Sequence, residues 1–183
     1  MPKSYWMVVL SPDNFKIARQ RGFDIIGLVG QHRKKVQRME PGDRVLLYVS
    51  HWRCFTTSAT VTAPFVEDHT PIWKAEGGSN FPFRVGIKPD VVLQESQYIY
   101  AYHIAPRMDY TRRWVPEDWY LAFHGSLHLI SKLDFHLVED ELLRSRRLGE
   151  NRPPFYTPNS PVPNSTCLLD QMANDEVGRP AYR

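Results

Sequence analysis

The feature that most constrains this chain is an apolar strand that runs directly into the start of a helix. The segment from Tyr5 to Leu10 is apolar, and Ser11-Pro12-Asp13-Asn14 follows it at once. Serine is a good helix N-cap, proline suits the first helical position, and short polar residues favour the first turn. Free backbone N–H groups and an amide side chain therefore converge at one strand end. The junction predicts a polar pocket for a small ligand, with Ser11, Pro12 and Asn14 as candidate residues, although Ser11 and Asn14 can also serve as helix caps alone.

Composition narrows the class of protein. A chain of 183 residues that is 42% hydrophobic and 13% aromatic is long enough to bury a core as one domain. Its net charge of +3 permits a nucleic-acid partner without requiring one. The two cysteines, Cys54 and Cys167, match no disulfide framework or zinc spacing, which favours a reducing compartment. No signal-peptide pattern or membrane-length apolar run is found, so we expect a soluble, cytoplasmic protein without a membrane partner.

Hydrophobic periodicity and turn residues predict a mixed α/β, or α+β, architecture. Strands are predicted at 5–10, 44–50, 55–63, 83–87 and 91–93, with Pro89 interrupting the last pair, and helices at 12–20, 32–38, 116–123 and 133–147. The turn at Pro41-Gly42 and the capping pattern Ser131-Lys132-Leu133-Asp134 support two of these boundaries. Residues 98–110 give no clear pattern. We predict one domain over residues 1–148 and a proline-rich tail over 149–183, either extended or packed on the body.

An ordered set of short motifs carries a family resemblance. The motifs are Tyr5-Trp6, Ser11-Pro12-Asp13-Asn14, Gly27, His32-Arg33, Lys35, Pro41-Gly42-Asp43, Tyr48-Val49, Glu67 to Trp73, Phe81 to Val85 and Asp134-Phe135. Over roughly residues 4–143 the chain resembles an EVE domain of the PUA-like superfamily, which is related to YTH domains. The resemblance implies a small twisted β-barrel flanked by helices. It also implies a non-catalytic module that recognises a modified base in DNA or RNA through a pocket beside the first strand.

The residues themselves offer the parts of such a pocket. A base needs a flat apolar slot for its ring and a few donors and acceptors for its edge. Candidate ring walls are Trp6, Trp52, Phe55, Trp73, Phe81 and Phe83. Ser11, Asn14 and the backbone near Gly27 are candidates for reading the edge. Ile26 stands where many EVE domains place a tryptophan, so one wall is expected to be aliphatic. Trp6 lies within a strand, a position that favours a core residue over a pocket wall.

Cations near the pocket could contact a phosphate backbone. The predicted helix 32–38 carries four basic residues, Arg33, Lys34, Lys35 and Arg38, on its exposed surface. Val36 and the following Met39 are predicted to face the core. Such a face is also typical of an ordinary solvated helix. Arg84 could bind a phosphate or pair with a carboxylate across the sheet.

An enzyme is the main alternative. His124 and His128 have a spacing that can place two metal ligands on one helix face, but Gly125 lies between them and no metalloprotease glutamate accompanies them. No P-loop, G-x-S-x-G or paired-cysteine motif is present. We therefore predict no catalytic residues, no metal and no cofactor. A nucleotide- or nucleic-acid-processing enzyme and a protein that dimerises through its tail remain open alternatives.

Overall fold

The computed structural model describes residues 3–75 and 80–149 of the chain. Its strands are β1 (Tyr5–Leu10), β2 (Ile25–Leu28), β3 (Arg44–Val49), β4 (Cys54–Val61), β5 (Val66–Glu67), β6 (Phe83–Val92), β7 (Ile99–Tyr100) and β8 (Leu127–Ile130). Its α-helices are α1 (Pro12–Gln20), α2 (Arg33–Val36) and α3 (Lys132–Leu148). The predicted tail and the dimer contact proposed for it lie outside the described residues, apart from Gly149.

The strands form one curled, half-barrel sheet of eight strands. Together with the helices, this sheet confirms the predicted mixed α/β architecture. Its main path runs β2, β6, β4, β3, β1, β8, with β5 added beside β6 and β7 beside β4. The pair β1 and β3 is parallel, and the other strand pairs are antiparallel. Because β1 and β3 run in the same direction, their carboxyl-terminal residues, Leu10 and Val49, lie side by side where the two strands end.

The hydrophobic core covers both faces of β1, and one part of it lies between the curled sheet and α3. Phe135, Val138 and Leu142 are buried on the inner face of α3 at helical spacing. The helix begins as predicted, because Ser131 accepts a hydrogen bond from the backbone N–H of Asp134 at 3.0 Å. Trp6 of β1 belongs to the same core and is only 1% exposed.

Asp43 anchors the amino-terminal end of β1. Its carboxylate accepts hydrogen bonds from Ser4 N at 2.9 Å, Trp6 Nε1 at 2.8 Å and Glu40 N at 3.1 Å. The predicted Pro41-Gly42 turn presents it, with Gly42 at a φ of +93° and the Asp43 N–H bonded to the Glu40 carbonyl. One buried carboxylate thus satisfies three donors from two separate segments.

Pro89 does not interrupt its strand, contrary to the sequence prediction. β6 runs continuously from Phe83 to Val92, and Pro89 lies opposite Ala59 where the pairing register between β4 and β6 shifts. A bulge removes the need for a ladder hydrogen bond from the missing proline N–H. The strand is therefore kept.

Other boundaries differ because the elements are short. The short strands β2, β5, β7 and β8 were not predicted. Helix α2 spans only Arg33–Val36 and is preceded by a 3-10 turn over Gly30–His32. The predicted helix 116–123 is a 3-10 segment with a kink at Asp118. Val36 and Met39 are buried as predicted. No helix in the part of the chain that the structure describes is both long and apolar enough to span a membrane.

Candidate nucleic-acid interface

A cavity of about 320 Å³ opens where β1 and β3 end, beside the start of α1. This junction cavity is lined by Val9, Leu10, Ser11, Asn14, Val29, Gln31, Ser50, Phe81, Phe123, His124, Gly125 and Ser126. The carboxyl ends of adjacent parallel strands are a common position for ligand sites, because the chain diverges there and leaves a crevice. The sequence-predicted pocket position beside the first strand therefore coincides with a cavity.

Ser11 shapes the mouth of the cavity as the N-cap of α1. Its hydroxyl accepts a hydrogen bond from Asn14 N at 3.3 Å, and Pro12 occupies the first helical position. Across the mouth, Ser50 binds the Leu10 carbonyl through both its N–H and its hydroxyl. The two strand ends are thereby fixed to each other, which keeps the crevice open at a defined width.

Asn14 is buried and ties α1 to the loop that carries Trp73. Its side-chain N–H donates to the Lys74 carbonyl at 3.1 Å, and its Oδ1 accepts from Lys74 N at 2.8 Å. Asp13 pairs with the Lys74 ammonium at 2.8 Å on the surface. That hydrogen bond and the lysine charge lower the pKa of Asp13. The amide predicted to read a base edge therefore also holds this loop in place.

Trp73 packs its indole directly against Gly27 of β2. A Cβ atom at Gly27 would overlap the indole ring, so the close approach requires glycine. The ring is 8% exposed, and its Nε1 is buried without a hydrogen-bond partner among the described residues. Gly27 thus serves the seating of Trp73, and neither residue lines the junction cavity.

Phe81 connects the junction cavity to a second depression. Its ring lines both the junction cavity and a cavity of about 430 Å³ that includes His69, Ile72 and Trp73 among its walls. Phe81 is partly exposed, whereas Trp73 is nearly covered. Of the predicted aromatic walls, Phe81 is the one that faces the junction cavity.

The other predicted ring walls are packed inside the protein. Trp6, Ile26, Trp52, Phe55 and Phe83 are each 8% exposed or less. Trp52 stacks on Tyr98 with ring centroids 5.8 Å apart. None of these five lines the junction cavity. Their large apolar surfaces stabilise the core that supports it.

The predicted phosphate contacts divide into two groups. The side chains of Arg33, Lys34, Lys35 and Arg38 are all exposed around α2. The Lys35 ammonium also donates to the Leu127 carbonyl at 3.0 Å, and Leu127 follows the cavity residue Ser126. The basic helix therefore lies beside the cavity.

Arg84 belongs to the interior instead of the surface. It is 6% exposed, pairs with Asp68 at 3.2 Å and donates to the Thr70 carbonyl. This is the carboxylate pairing that the sequence left open as the alternative to phosphate binding. The pair fixes the strand β5 and the loop after it to β6.

Sequence reasoning missed the far wall of the junction cavity. Phe123, His124, Gly125 and Ser126 form it, and Gly125 has a φ of +99° that lets the chain turn into β8. The Ser126 hydroxyl is buried without a hydrogen-bond partner in the described ranges. In the sequence, this segment is a polar His-Gly-Ser stretch between two apolar runs, which indicates a turn. A turn signal does not reveal which distant residues will lie beside it.

Burial keeps His128, next to this wall, uncharged near neutral pH. Its Nδ1 lies 2.7 Å from the Tyr110 hydroxyl, and its Nε2 is buried facing Gly125. Burial lowers the pKa of His128 to about 4, although the Gly125 backbone acts in the opposite direction. His124 precedes β8 and His128 lies within it, so the two do not share a helix face. Among residues 3–75 and 80–149, no three His, Cys, Asp or Glu side chains are grouped to hold a metal ion.

A family model for the EVE domain matches residues 4–99, just over half of the 183 residues. The chain belongs to the EVE domain family. A curated relative, the UPF0310 protein PYRAB08750 of Pyrococcus abyssi, is 26% identical over 98 residues. That match covers 47% of this chain and 66% of the relative, slightly less than two thirds of its length.

Solved structures share the fold at low sequence identity. The YTH domain of the protein mmi1, solved in complex with RNA, superposes with a TM-score of 0.57 at 10% identity, covering 80% of this chain and 87% of that one. The YTH domain of Zygosaccharomyces rouxii MRB1, solved with N6-methyladenosine RNA, gives 0.51 at 12% identity, covering 78% and 90%. A hypothetical protein from Leishmania major gives 0.52 at 19% identity, covering 80% and 98%. At these identities the likeness shows the fold, which is that of YTH and PUA-like domains.

Proposed function

We propose that this EVE domain is a nucleic-acid-binding module that holds a modified base in the junction cavity without catalysing a reaction on it. The observation that carries the proposal is the cavity's composition and position. It joins the rings of Phe81 and Phe123 to short polar side chains at the end of two parallel strands. A volume of about 320 Å³ lies at the lower end of the range of small-molecule sites, which suits a single extruded base.

Polar side chains that line the junction cavity supply hydrogen-bonding groups for the edge of a base. Ser126 lines the cavity, and its buried hydroxyl has no partner among the described residues. A buried hydroxyl left unpaired costs free energy, so a ligand atom that bonds to it gains affinity. Ser11 and Gln31 line the same space from the other side. In this proposal Phe81 stacks on the base, and Trp73 and Asn14 act by positioning the neighbouring loop.

The basic surface of α2 supports a nucleic acid over a free metabolite. Gln31 of the cavity precedes this helix, and Lys35 is bonded to the carbonyl next to Ser126. Exposed arginines and lysines beside a base site favour a phosphate backbone. The RNA complexes of the YTH neighbours, one of them with N6-methyladenosine RNA, support the same class of ligand.

The chemistry of the site supports binding without turnover. Cys54, the cysteine of the described residues, is buried, and burial raises the pKa of its thiol to about 12. A thiol in that state is a poor nucleophile. Catalysis would also need an activated base or a metal at the ligand. His124 lines the cavity, but no carboxylate among the described residues lines it beside that histidine.

Binding of short single-stranded RNA and DNA that carry a panel of modified bases tests the proposal. At least one modified base should bind more tightly than its unmodified parent, and Phe81→Ala should weaken that binding by about 1–3 kcal/mol because a stacking surface is lost. Phe65→Ala is the matched control, since Phe65 is a partly buried ring that packs on Phe83 away from the cavity.

Ser126→Ala should reduce discrimination between modified and unmodified bases more than it reduces overall affinity. No preference for any modified base, or equal affinity in the Phe81→Ala and wild-type proteins, would contradict the proposed site. Conversion of a nucleoside or oligonucleotide by the purified protein would favour the enzyme alternative.

A further inference from the structure

A second and larger cavity adjoins the junction cavity across His124. This tryptophan groove encloses about 710 Å³, and its walls include Tyr110, Arg113, Trp114, His124 and Leu129. His124 lines both cavities and is itself exposed. An extended ligand bound in one cavity can therefore continue into the other over His124.

The groove presents an unpaired aromatic ring to solvent. Trp114 is 43% exposed, and no other ring among the described residues stacks on it. Its backbone is fixed, because its N–H donates to the Thr111 carbonyl at 3.0 Å. Leu129 is 45% exposed beside it. An exposed indole on a fixed turn is a ready surface for stacking a planar group.

In the described part of the chain, the groove carries two acidic residues whose carboxylates are hydrogen-bonded or ion-paired, and one arginine that is neither. The Asp134 carboxylate accepts from the backbone N–H groups of Asp109 and Tyr110, at 2.8 and 3.1 Å. Asp109 in turn pairs with Arg112 at 3.0 Å. Arg113 is exposed and has no ion-pair or hydrogen-bond partner within the described ranges. The carboxylates are thus occupied, and a cation remains available for an anion.

A second cation marks the boundary between the two cavities. Lys35 binds the carbonyl of Leu127, which lies between Ser126 of the junction cavity and His128 of the groove. One cation beside the boundary of the two cavities, a second in the wall of the groove and an exposed aromatic ring match the needs of a single-stranded nucleic acid, whose phosphates bind cations and whose bases stack on rings.

We propose that the tryptophan groove binds the nucleotide adjacent to the one held in the junction cavity, stacking its base on Trp114 and placing a phosphate against Arg113. The proposal rests on the proposed function for the position of the first nucleotide. It adds a subsite that tolerates any base, since stacking depends on a π-face that every base has. The protein's affinity for single-stranded nucleic acid would then increase whether or not a base is modified.

Fluorescence anisotropy with a labelled, unmodified seven-nucleotide oligoadenylate RNA tests this subsite directly. Trp114→Ala should weaken binding of this probe about 5- to 150-fold. Arg113→Gln should reduce the slope of log K against log salt by about 0.7, the contribution of one phosphate on a single strand. Tyr102→Ala and Arg144→Gln are matched controls, being an exposed ring and an exposed arginine that do not line the groove.

The outcomes separate this inference from the proposed function. Unchanged affinity in Trp114→Ala, or no binding of the oligoadenylate by the wild-type protein, overturns the subsite even where a modified nucleoside binds. Trp114-dependent binding of oligoadenylate without preference for any modified base upholds the subsite and overturns the modified-base site. Self-association that Trp114→Ala abolishes, with oligoadenylate binding unaffected, would identify the groove as a contact between protein chains and overturn the proposal.

Discussion

Trp6 and Trp73 are both buried tryptophans, and their indoles are held in place in different ways. At the amino-terminal end of β1, the buried indole N–H of Trp6 is bonded to Asp43, which also satisfies two backbone donors. Near the carboxyl end of β1, the indole of Trp73 is 8% exposed, its N–H has no partner among the described residues, and its ring packs against Gly27. The Trp6 indole is held by a hydrogen bond, and the Trp73 indole by its fit against Gly27, within a loop that Asn14 fixes through two further hydrogen bonds. Polar groups left unpaired near a cavity are the ones that a ligand can recruit.

The largest effect is expected from Asp43→Ala. Three donors lose their acceptor at a position that is only 5% exposed, so the free energy of unfolding should fall by about 3 kcal/mol or more. Urea unfolding followed by circular dichroism measures it. Asp140→Ala on the exposed face of α3 is the control. A loss of similar size in both variants would mean that the Asp43 network does not specify this end of the strand.

A pH-dependent effect of similar size is expected beside the cavity. His128 has a pKa near 6.5 in the unfolded chain and about 4 in the folded protein. Between these values the unfolded state binds more protons, so stability falls as the pH is lowered from about 6.5 to 4, by up to about 3 kcal/mol. Urea unfolding at pH 7.0 and 4.5 should show this loss in wild-type and His124→Gln proteins. The loss should be much smaller in His128→Gln, and the same pH dependence in all three would exclude His128 as its source.

Gly27→Ala tests whether shape alone holds Trp73. The new methyl group overlaps the indole, so we expect a loss of about 1–3 kcal/mol in unfolding free energy. Trp73→Ala in the same chain should remove most of this penalty, because the clash is gone. Gly30→Ala is the matched control, since its nearest neighbour, Pro82 Cγ, is 4.0 Å from the added carbon. Additive effects of the Gly27 and Trp73 substitutions would show that the two sites are not coupled.

The smallest effect is expected from Asn14→Ala. Its two hydrogen bonds to the Lys74 backbone should contribute about 1–2 kcal/mol, seen as a modest stability loss and faster amide exchange at Lys74. Asp13→Asn breaks only the exposed ion pair at the same helix turn and should have no measurable effect on stability. If the two variants behave alike, the buried amide does not hold the loop.

Sequence reasoning succeeded where the signal was local. β1, α1 and the start of α3 follow from contiguous residues: an apolar run, a serine cap, a proline in the first turn. The short strands β2 and β8 form because distant partners pair with them, which no local pattern records.

The candidate site shows the same division. Ser11 and Asn14 could be placed at a pocket from their own neighbours in sequence, but Phe123 and Ser126 reach the same cavity from more than a hundred residues away. The sequence identified Trp73 as a candidate pocket wall. Whether its ring faces a ligand or Gly27 is decided by packing across the sheet.

The position of β1 inside the sheet also sets the order in which the protein can be completed during synthesis. β1 is the first of the described strands in chain order, yet one of its neighbours, β3, begins at Arg44 and the other, β8, at Leu127. A nascent chain that has emerged only as far as residue 99, where the EVE match ends, still has one side of β1 exposed as an open hydrogen-bonding edge. The pairing of β1 is completed only when β8, the last strand of the described body, has been made, and such non-local pairing is slow to form.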